Sequence, residues 1–335
     1  MMNTLYLLTG ATGLLGGNIL KQLTVNGQKV RILVMPNDPA LSAIPHGVEI
    51  IEGDILDENA LDIFFSVKAG IEVVVIHSAS IVTVDPRPNE KVLAVNVNGT
   101  KNIIKQCLNH KIKKLVYISS TGAIPELPNE QIIYEVKNHD PNKVIGFYSK
   151  TKAIATELVL EAVREHDLDA SVVYPSGIFG PNDYSFGMVT SFIKMVASGR
   201  SRIAIGGTFN SVDARDLASG VIECTKKGRK GETYIMASVC YTFIQLMKII
   251  CEEAGVKKPF FTVPLWLVRP FSNIGTIYNK FFKKPAWFSR FTIYNLEKNN
   301  NFSAEKAEKE LGFHCRSLNE TIADTITWLK HEEKL

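Results

Sequence analysis

The sequence predicts an α/β fold: a doubly wound parallel sheet with a smaller C-terminal lobe built onto it. Three observations carry this reading. Short apolar runs rich in branched residues alternate with stretches of helical spacing over roughly the first half of the chain. The first apolar run breaks into a glycine-rich turn and passes into a helix. Polar clusters follow the apolar runs, where an open parallel sheet presents its ligands, at the carboxyl ends of its strands.

Leu5–Gly16 reads Leu-Tyr-Leu-Leu-Thr-Gly-Ala-Thr-Gly-Leu-Leu-Gly, a strand and a turn, with Asn18–Val25 as the helix that follows. Gly10 can take a tight turn, Gly13 lets backbone approach a pyrophosphate, and Gly16 lets helix pack on strand. The N–H groups of the helix start then face an anion. The spacing Gly-x-x-Gly-x-x-Gly is one residue longer than the commonest fingerprint, but strand, turn and helix together predict a dinucleotide site.

Lys29–Met35, Val48–Ile51, Glu72–Ile76 and Leu115–Ser119 are the next strands, with helices at Asp57–Val67 and Asn89–Asn109. The strand ends carry Gly53-Asp54, His77-Ser78-Ala79-Ser80 and Ser119-Ser120-Thr121. Gly122–Phe147 has three prolines and no clean period, the mark of a functional or disordered loop. Tyr148–His166 is a helix, and Ala170–Tyr174 a sixth strand leading into Pro175-Ser176-Gly177-Ile178. Gly187–Ser198 and Phe243–Ala254 read as helices, Thr233–Met236 as a strand, and Ser303–Leu311 and Leu318–His331 as closing helices. The expected division is residues 1–180 for a cofactor domain, joined by one strand from about 212–240, and 181–335 mainly for a substrate lobe.

The net charge of +4 is too mild to argue for nucleic acid. Five cysteines, an odd number with no Cys-x-x-Cys, read as reduced thiols in a cytoplasmic protein without a metal site. Met1–Thr4 leaves no room for a secretory signal before the first strand, and no uncharged apolar run reaches the length of a membrane span. Lys257–Asn300 sets eight basic residues against Glu297 alone, a net charge of +7, with aromatics interleaved. It reads as a helical cap with solvated lysines; the alternative is a lid that touches membrane or an amphiphilic substrate.

Tyr148 and Lys152 stand four apart on one helix face. A free phenol titrates near 10, and a neighbouring ammonium lowers that value. Tyr148 could then exchange a proton with an alcohol or carbonyl, and Thr121 could hydrogen-bond the same oxygen. Such a pair is common on surface helices; the dinucleotide turn and the Ser-Ser-Thr strand end give it weight. His77 reads as backbone support, Asp213, Arg215 and Asp216 as a structural bridge, His139 and His166 as solvated, and Cys107 as core.

These motifs, with Asn96-Val-Asn-Gly-Thr100, Tyr174-Pro-Ser-Gly-Ile-Phe-Gly-Pro181, Val212-Asp-Ala-Arg-Asp-Leu217 and the closing Ser303–Gly312 stretch, span nearly the whole chain. Together they resemble the extended short-chain dehydrogenases/reductases, most of all the dihydroflavonol-reductase and 3β-hydroxysteroid-dehydrogenase branch. The resemblance implies a Rossmann domain that binds NAD(P)(H) through Gly10, Thr12, Gly13, Leu14, Leu15 and Gly16. It implies that Asp54 and Ile55 contact the adenine, that Ser78, Ala79 and Ser80 line the cofactor, and that Asn96 helps hold it. Thr121, Tyr148 and Lys152 would be the catalytic triad, with Tyr148 and Lys152 also touching cofactor. Pro175, Ser176 and Ile178 would seat the nicotinamide amide. The implied reaction interconverts a ketone or aldehyde and an alcohol on an apolar small molecule, in a homodimer joined through helices Asn89–Asn109 and Tyr148–His166.

The chain also departs from its relatives. No Asp or Glu lies between Gly17 and Asn37 to meet a ribose 2′-hydroxyl, which leans toward NADP(H). Met35, however, stands where NADP-binding relatives often carry Arg, so NAD(H) stays open. Gly122-Ala123 replaces the Asp-Glu of the sugar-nucleotide 4,6-dehydratases, and Gly206–Asp213 has no Arg to clamp a diphosphate. Two other readings are a nucleotide-sugar epimerase and a cofactor-sensing regulator without chemistry. Intact Tyr148 and Lys152 count against the regulator.

Overall fold

A computed structural model of the chain describes residues 4–201, 203–269 and 290–335. Its strands are β1 (Thr4–Thr9), β2 (Lys29–Val34), β3 (Glu49–Glu52), β4 (Glu72–His77), β5 (Lys114–Ile118) and β6 (Ala170–Pro175). They continue with β7 (Gly177–Phe179), β8 (Ile203–Ile205), β9 (Thr208–Asp213), β10 (Thr233–Met236), β11 (Cys240–Thr242) and β12 (Phe261–Val263). The helices are α1 (Leu14–Val25), α2 (Glu58–Phe65), α3 (Glu90–Leu93), α4 (Thr100–Asn109), α5 (Phe147–His166) and α6 (Met188–Ala197). After them come α7 (Ala214–Lys227), α8 (Phe243–Ala254), α9 (Leu265–Val268), α10 (Arg290–Glu297), α11 (Glu305–Leu311) and α12 (Leu318–His331).

Seven strands form one parallel sheet in the order β10-β6-β5-β4-β1-β2-β3. The order reverses between β1 and β4, the switch point at which such sheets bind ligands. Alternate residues of each strand face opposite layers. Leu7, Val75, Tyr117 and Val172 pack with Phe64, Ile103 and Val159 of α2, α4 and α5. Leu8, Ile76, Val116 and Val173 pack with Ile19, Val221 and Leu311 of α1, α7 and α11. Both faces are covered, which is why the central strands read as unbroken apolar runs.

Several elements differ from the sequence reading, each for a physical reason. α1 begins at Leu14, four residues before the expected Asn18, because Gly13 in an extended conformation serves as its N-cap and leads straight in. The long helix expected over Asn89–Asn109 is broken by a π-helical segment, Ala94–Gly99. There the Thr100 hydroxyl donates to the Asn96 carbonyl at 2.8 Å, and the Asn96 side chain bonds the main chain of Ile81 in both directions. π-helical turns often mark sites where a side chain must be re-aimed. Gly122–Phe147 is pinned to the C-terminal part of the chain. Ile133 bridges to Phe302, and Asn299 donates to the Pro128 and Gln131 carbonyls at 2.7 Å each. Of Lys257–Asn300, residues 270–289 lie outside the described residues.

The second half holds a three-stranded sheet, β11-β9-β7, which short-strand periodicity did not reveal. It also holds α7, whose N-cap is Asp213. Asp213 is buried and accepts from the Arg215 guanidinium at 2.7 and 2.9 Å, while Arg215 also reaches Asp324 of α12 at 2.6 Å. Arg316 makes a parallel fork to Asp216. Burial alone would raise the Asp213 carboxyl, but the Arg215 hydrogen bonds hold it below the ordinary value. A depressed carboxyl stabilises above its unfolded value, and that stability is lost as pH falls through the folded one. Arg215→Ala is therefore expected to lower unfolding free energy by about 3 kcal/mol at neutral pH, with a smaller penalty under acid. Denaturant melts at several pH values check this.

Candidate active site

The turn after β1 is built from three close approaches. Gly10 has φ +76°, and a Cβ there would lie 2.7 Å from the Ala79 nitrogen. A Cβ on Gly16 would lie 2.0 Å from the Gly10 carbonyl oxygen. Gly13 is different: its φ is −84°, and a Cβ would meet only the Gly10 oxygen at 3.5 Å. No side chain caps α1 and no acid sits in its first turn. The helix start of Leu14, Leu15 and Gly16 thus offers N–H groups and a positive dipole end to an anion. Thr12 contributes its carbonyl, which accepts from Ser185 at 2.8 Å and ties the turn to the C-terminal half.

The Ser78–Ser80 loop beside this turn is held from below. Thr100 donates its only hydroxyl proton to the Asn96 carbonyl, so His77 Nε2 must donate to Thr100 Oγ1, 3.1 Å away. His77 Nδ1 then accepts from Thr9 Oγ1 at 2.8 Å, and Thr9 in turn accepts from the Ala79 N–H at 3.3 Å. Burial and the Lys152 charge hold His77 down to about 3, as a neutral ring in this chain requires. Asn96 also donates to Thr151 of α5 at 3.1 Å. Its amide is thus engaged in fixing the loop and the helix. Ile55 is buried, and a Cβ on Gly99 would strike its side chain, so at this edge the partly exposed Asp54 is the polar group offered. Arg31 is spent on the Phe64 and Ser66 carbonyls and on Glu49.

The expected catalytic residues gather at the carboxyl end of β5. Lys152 is buried on α5, with Nζ 2.7 Å from the Ile118 carbonyl oxygen and 3.5 Å from the Tyr117 hydroxyl. Burial pushes its ammonium down to about 7. Tyr148 is partly exposed, and the burial it does have pushes its phenol up to about 12, with a hydrogen bond to the Ser120 side chain working the other way. This differs from the expected acidified phenol: Lys152 is aimed at Ile118 and Tyr117, and desolvation wins. Thr121 is buried at the start of a 3-10 turn, Thr121–Ala123, whose first N–H groups include one bound by Ser120. Ser120 is the residue that sequence reasoning passed over, although it stands within the quoted Ser-Ser-Thr cluster. Tyr117 is another: its hydroxyl lies 3.5 Å from Lys152 Nζ and its ring lies 5.6 Å from the His77 ring, so the lysine and the histidine meet across one buried aromatic.

Pro175 and Ser176 continue β6, and the Ser176 N–H donates to the Met236 carbonyl. The Ser176 hydroxyl is buried without a hydrogen-bond partner among the described residues, and the partly exposed Ile178 lies on β7 next to it. His139, expected in solvent, is instead buried, with Nε2 bonded to the Tyr174 hydroxyl behind the sheet. A cavity of about 550 Å³ lies farther along, lined by Asn129, Thr208, Cys240, Leu265 and Asn300 among others. It includes none of Thr121, Tyr148 and Lys152. Thr208 lies three residues before Ser211 on β9, and Ser211 pairs with Gly177, so β9 links the cavity wall to the turn that carries Ser176.

The sequence matches a model of the NAD dependent epimerase/dehydratase family over residues 6–237. The chain belongs to that family. It is an NAD(P)-dependent oxidoreductase of the extended short-chain dehydrogenase/reductase type. It is 28% identical to sterol demethylase protein B of Methylococcus capsulatus, over 97% of this chain and 98% of that one. It is 27% identical to the sterol-4-alpha-carboxylate 3-dehydrogenase erg26, decarboxylating, of Schizosaccharomyces pombe, over 96% and 97%. Among solved structures, gox2253 superposes with a TM-score of 0.84 at 27% identity and covers 99% of each chain. The nucleotide of such a family member fits what is seen here: a three-glycine cradle, an uncapped helix start, and a buried serine hydroxyl without a partner among the described residues just past β6.

Lys152 also supplies a stability test. Its folded value lies below the 10.5 of a free lysine, so between pH 7 and 10.5 the unfolded chain binds more protons and stability rises with pH. Lys152→Met is expected to abolish turnover yet raise the melting temperature of the cofactor-free protein near pH 7. The gain should be about 2–4 °C for each kcal/mol recovered, and should shrink toward pH 10. Calorimetry across that range checks it.

Proposed function

We propose that the protein interconverts a secondary alcohol and a ketone on an apolar, ring-type small molecule of sterol-like character, with NAD(P)(H) as hydride carrier. The observation that carries this is the assembly of Tyr148, Ser120, Thr121 and Lys152 at the end of β5, with the glycine turn after β1 and the buried Ser176 hydroxyl, unpartnered among the described residues, after β6. The cofactor supplies the hydride; the chain's residues supply position and the proton. Tyr148 passes its hydroxyl proton to the nascent alkoxide in reduction and withdraws it in oxidation. Ser120 orients that hydroxyl, and Thr121 donates to the substrate oxygen. Lys152, anchored by Ile118 and Tyr117, would hold the nicotinamide ribose, and its charge beside Tyr148 would lower the cost of a phenolate. Gly10, Gly13 and Gly16 would hold the pyrophosphate, Asp54 the adenine edge, Ser78, Ala79 and Ser80 the flank, and Ser176 the amide.

Two features support an uncharged substrate. The cations at the neighbouring cavity are matched: Arg269 pairs with Glu297 at 2.6 Å, and Lys298 sits in the field of Glu126. The relatives with near-complete coverage include a sterol demethylase protein and a sterol carboxylate dehydrogenase. A nucleotide-sugar epimerase is the second reading, favoured by the family as a whole. Net turnover separates them. Sterol-like and flavonoid-like ketones and alcohols, offered with NAD(H) and NADP(H), should change absorbance at the nicotinamide band. Epimerisation of a nucleotide sugar with no net change would favour the second reading.

Ser120→Ala and Thr121→Val separate two roles. Each is expected to lower kcat by about 10–100-fold, the scale of one hydrogen bond to a developing charge. Ser120→Ala should also move the alkaline limb of the pH–rate profile upward, because it removes the bond that lowers the Tyr148 value. A Ser120→Ala profile that superposes on the parent would refute its orienting role.

A further inference from the structure

One face of the C-terminal half carries large apolar side chains in water. Phe260 is 82% exposed and Trp266 67%. Phe261 and Ile203 stand in register on β12 and β8, each about half exposed, and Leu267 adds to them. Single exposed apolar residues are ordinary on a soluble surface, but a cluster around an open strand pair and a short helix is not. Exposed Lys257 and Arg200 border it, together with Lys258, whose ammonium pairs with Glu252 at 2.6 Å.

We propose that this face docks on the surface of an anionic lipid bilayer. The chemistry of the side chains selects that occupant. Tryptophan and phenylalanine rings enter the headgroup–acyl boundary, and lysines on the rim keep their ammonium groups at the phosphates. The few cations of this rim add attraction to an anionic leaflet. A second copy of the chain is disfavoured by the same charge, because a two-fold contact through this face would set the basic rim against itself. No helix among the described residues is long and apolar enough to cross a membrane, so the contact is peripheral.

The patch adjoins the cavity. Leu265 lines the cavity, while Trp266 and Leu267 on the same short helix are exposed. The Gly206 N–H donates to the Val263 carbonyl at 2.9 Å, so β12 is tied to the Gly207 wall of that cavity. A ligand dissolved in the bilayer would enter beside α9; this consequence alone rests on the substrate reading above.

The test is co-sedimentation of the full chain with phosphatidylcholine vesicles, with and without phosphatidylserine, at low and high salt. Binding is expected with phosphatidylserine, several-fold weaker at high salt. It should fall several-fold in the Phe260→Ser, Trp266→Ser double variant, whose thermal melt should match the parent because both side chains face solvent. Binding no greater than that of a neutral control protein overturns the proposal, as does a double variant that binds like the parent. So does a parent that dimerises in light scattering through these residues while ignoring vesicles, since the patch would then be a protein interface. The readout is binding and not turnover, so the substrate reading and the membrane reading fail separately.

Discussion

Tyr148→Phe is expected to lower turnover by about 10²–10⁴-fold while leaving cofactor affinity within a few fold. The substitution keeps the ring and removes only the hydroxyl, so α5 should be undisturbed. The size of the effect follows from the electrostatics of the site. In the free protein, burial holds the phenol at about 12 and lets Lys152 titrate near 7. A phenol at that value carries almost no phenolate at neutral pH, so it is a poor source of base until a positive charge beside it, a bound oxidised nicotinamide or a protonated Lys152, lowers it. The acid limb for alcohol oxidation, where the phenolate is the base, should therefore lie lower in kcat, which reports the ternary complex, than the titration of Tyr148 in the free protein. Ultraviolet difference titration of the free protein gives one value and the pH–rate profile the other. Turnover unchanged in Tyr148→Phe would remove Tyr148 from the chemistry. Coincident limbs would show that burial, not the cofactor, sets the phenol.

The parts of this site that sequence revealed are those fixed by local spacing. Gly10, Gly13 and Gly16 sit where strand meets helix, and Tyr148 and Lys152 share a helix face. The central strands were legible because two covered faces demand unbroken apolar runs. What was hidden depends on distant partners. Nothing local to Asn96 says that its amide will bond Ile81 and Thr151 and widen a helical turn. Nothing near Tyr117 says that its hydroxyl will meet Lys152, since Tyr117 reads as one more core aromatic on β5. His139 looked solvated because its loop is polar, yet the fold buries it against Tyr174. β7 and β11 were missed because three residues are too few to show a period, and β9 because Thr-Phe-Asn-Ser-Val-Asp is mostly polar; their pairing joins segments far apart in sequence.

Gly16→Ala and Gly13→Ala are expected to fail in different ways, and the contrast tests the phosphate cradle. At Gly16 the added methyl would stand 2.0 Å from the Gly10 carbonyl oxygen and 2.6 Å from its carbon. Those are backbone atoms of a turn already fixed by φ +76° at Gly10, whose own Cα side is closed by Ala79. They cannot yield without moving α1 off β1. The variant should lose about 1–3 kcal/mol of stability or more, the scale of overpacking, and the displaced helix start should bind cofactor at least about 10-fold more weakly. At Gly13 neither objection applies. Its φ is −84°, and the nearest neighbour of an added methyl is 3.5 Å away, so the fold itself tolerates alanine there. The requirement for glycine at that position comes from the ligand, because a methyl would occupy the space through which backbone approaches the pyrophosphate. Gly13→Ala should melt like the parent yet bind NAD(P)(H) at least about 10-fold more weakly. Calorimetric titration beside a thermal melt reads both variants. A Gly13→Ala protein that melts normally and binds normally would show that no phosphate lies over this turn, and the cofactor would have to be sought elsewhere on the sheet.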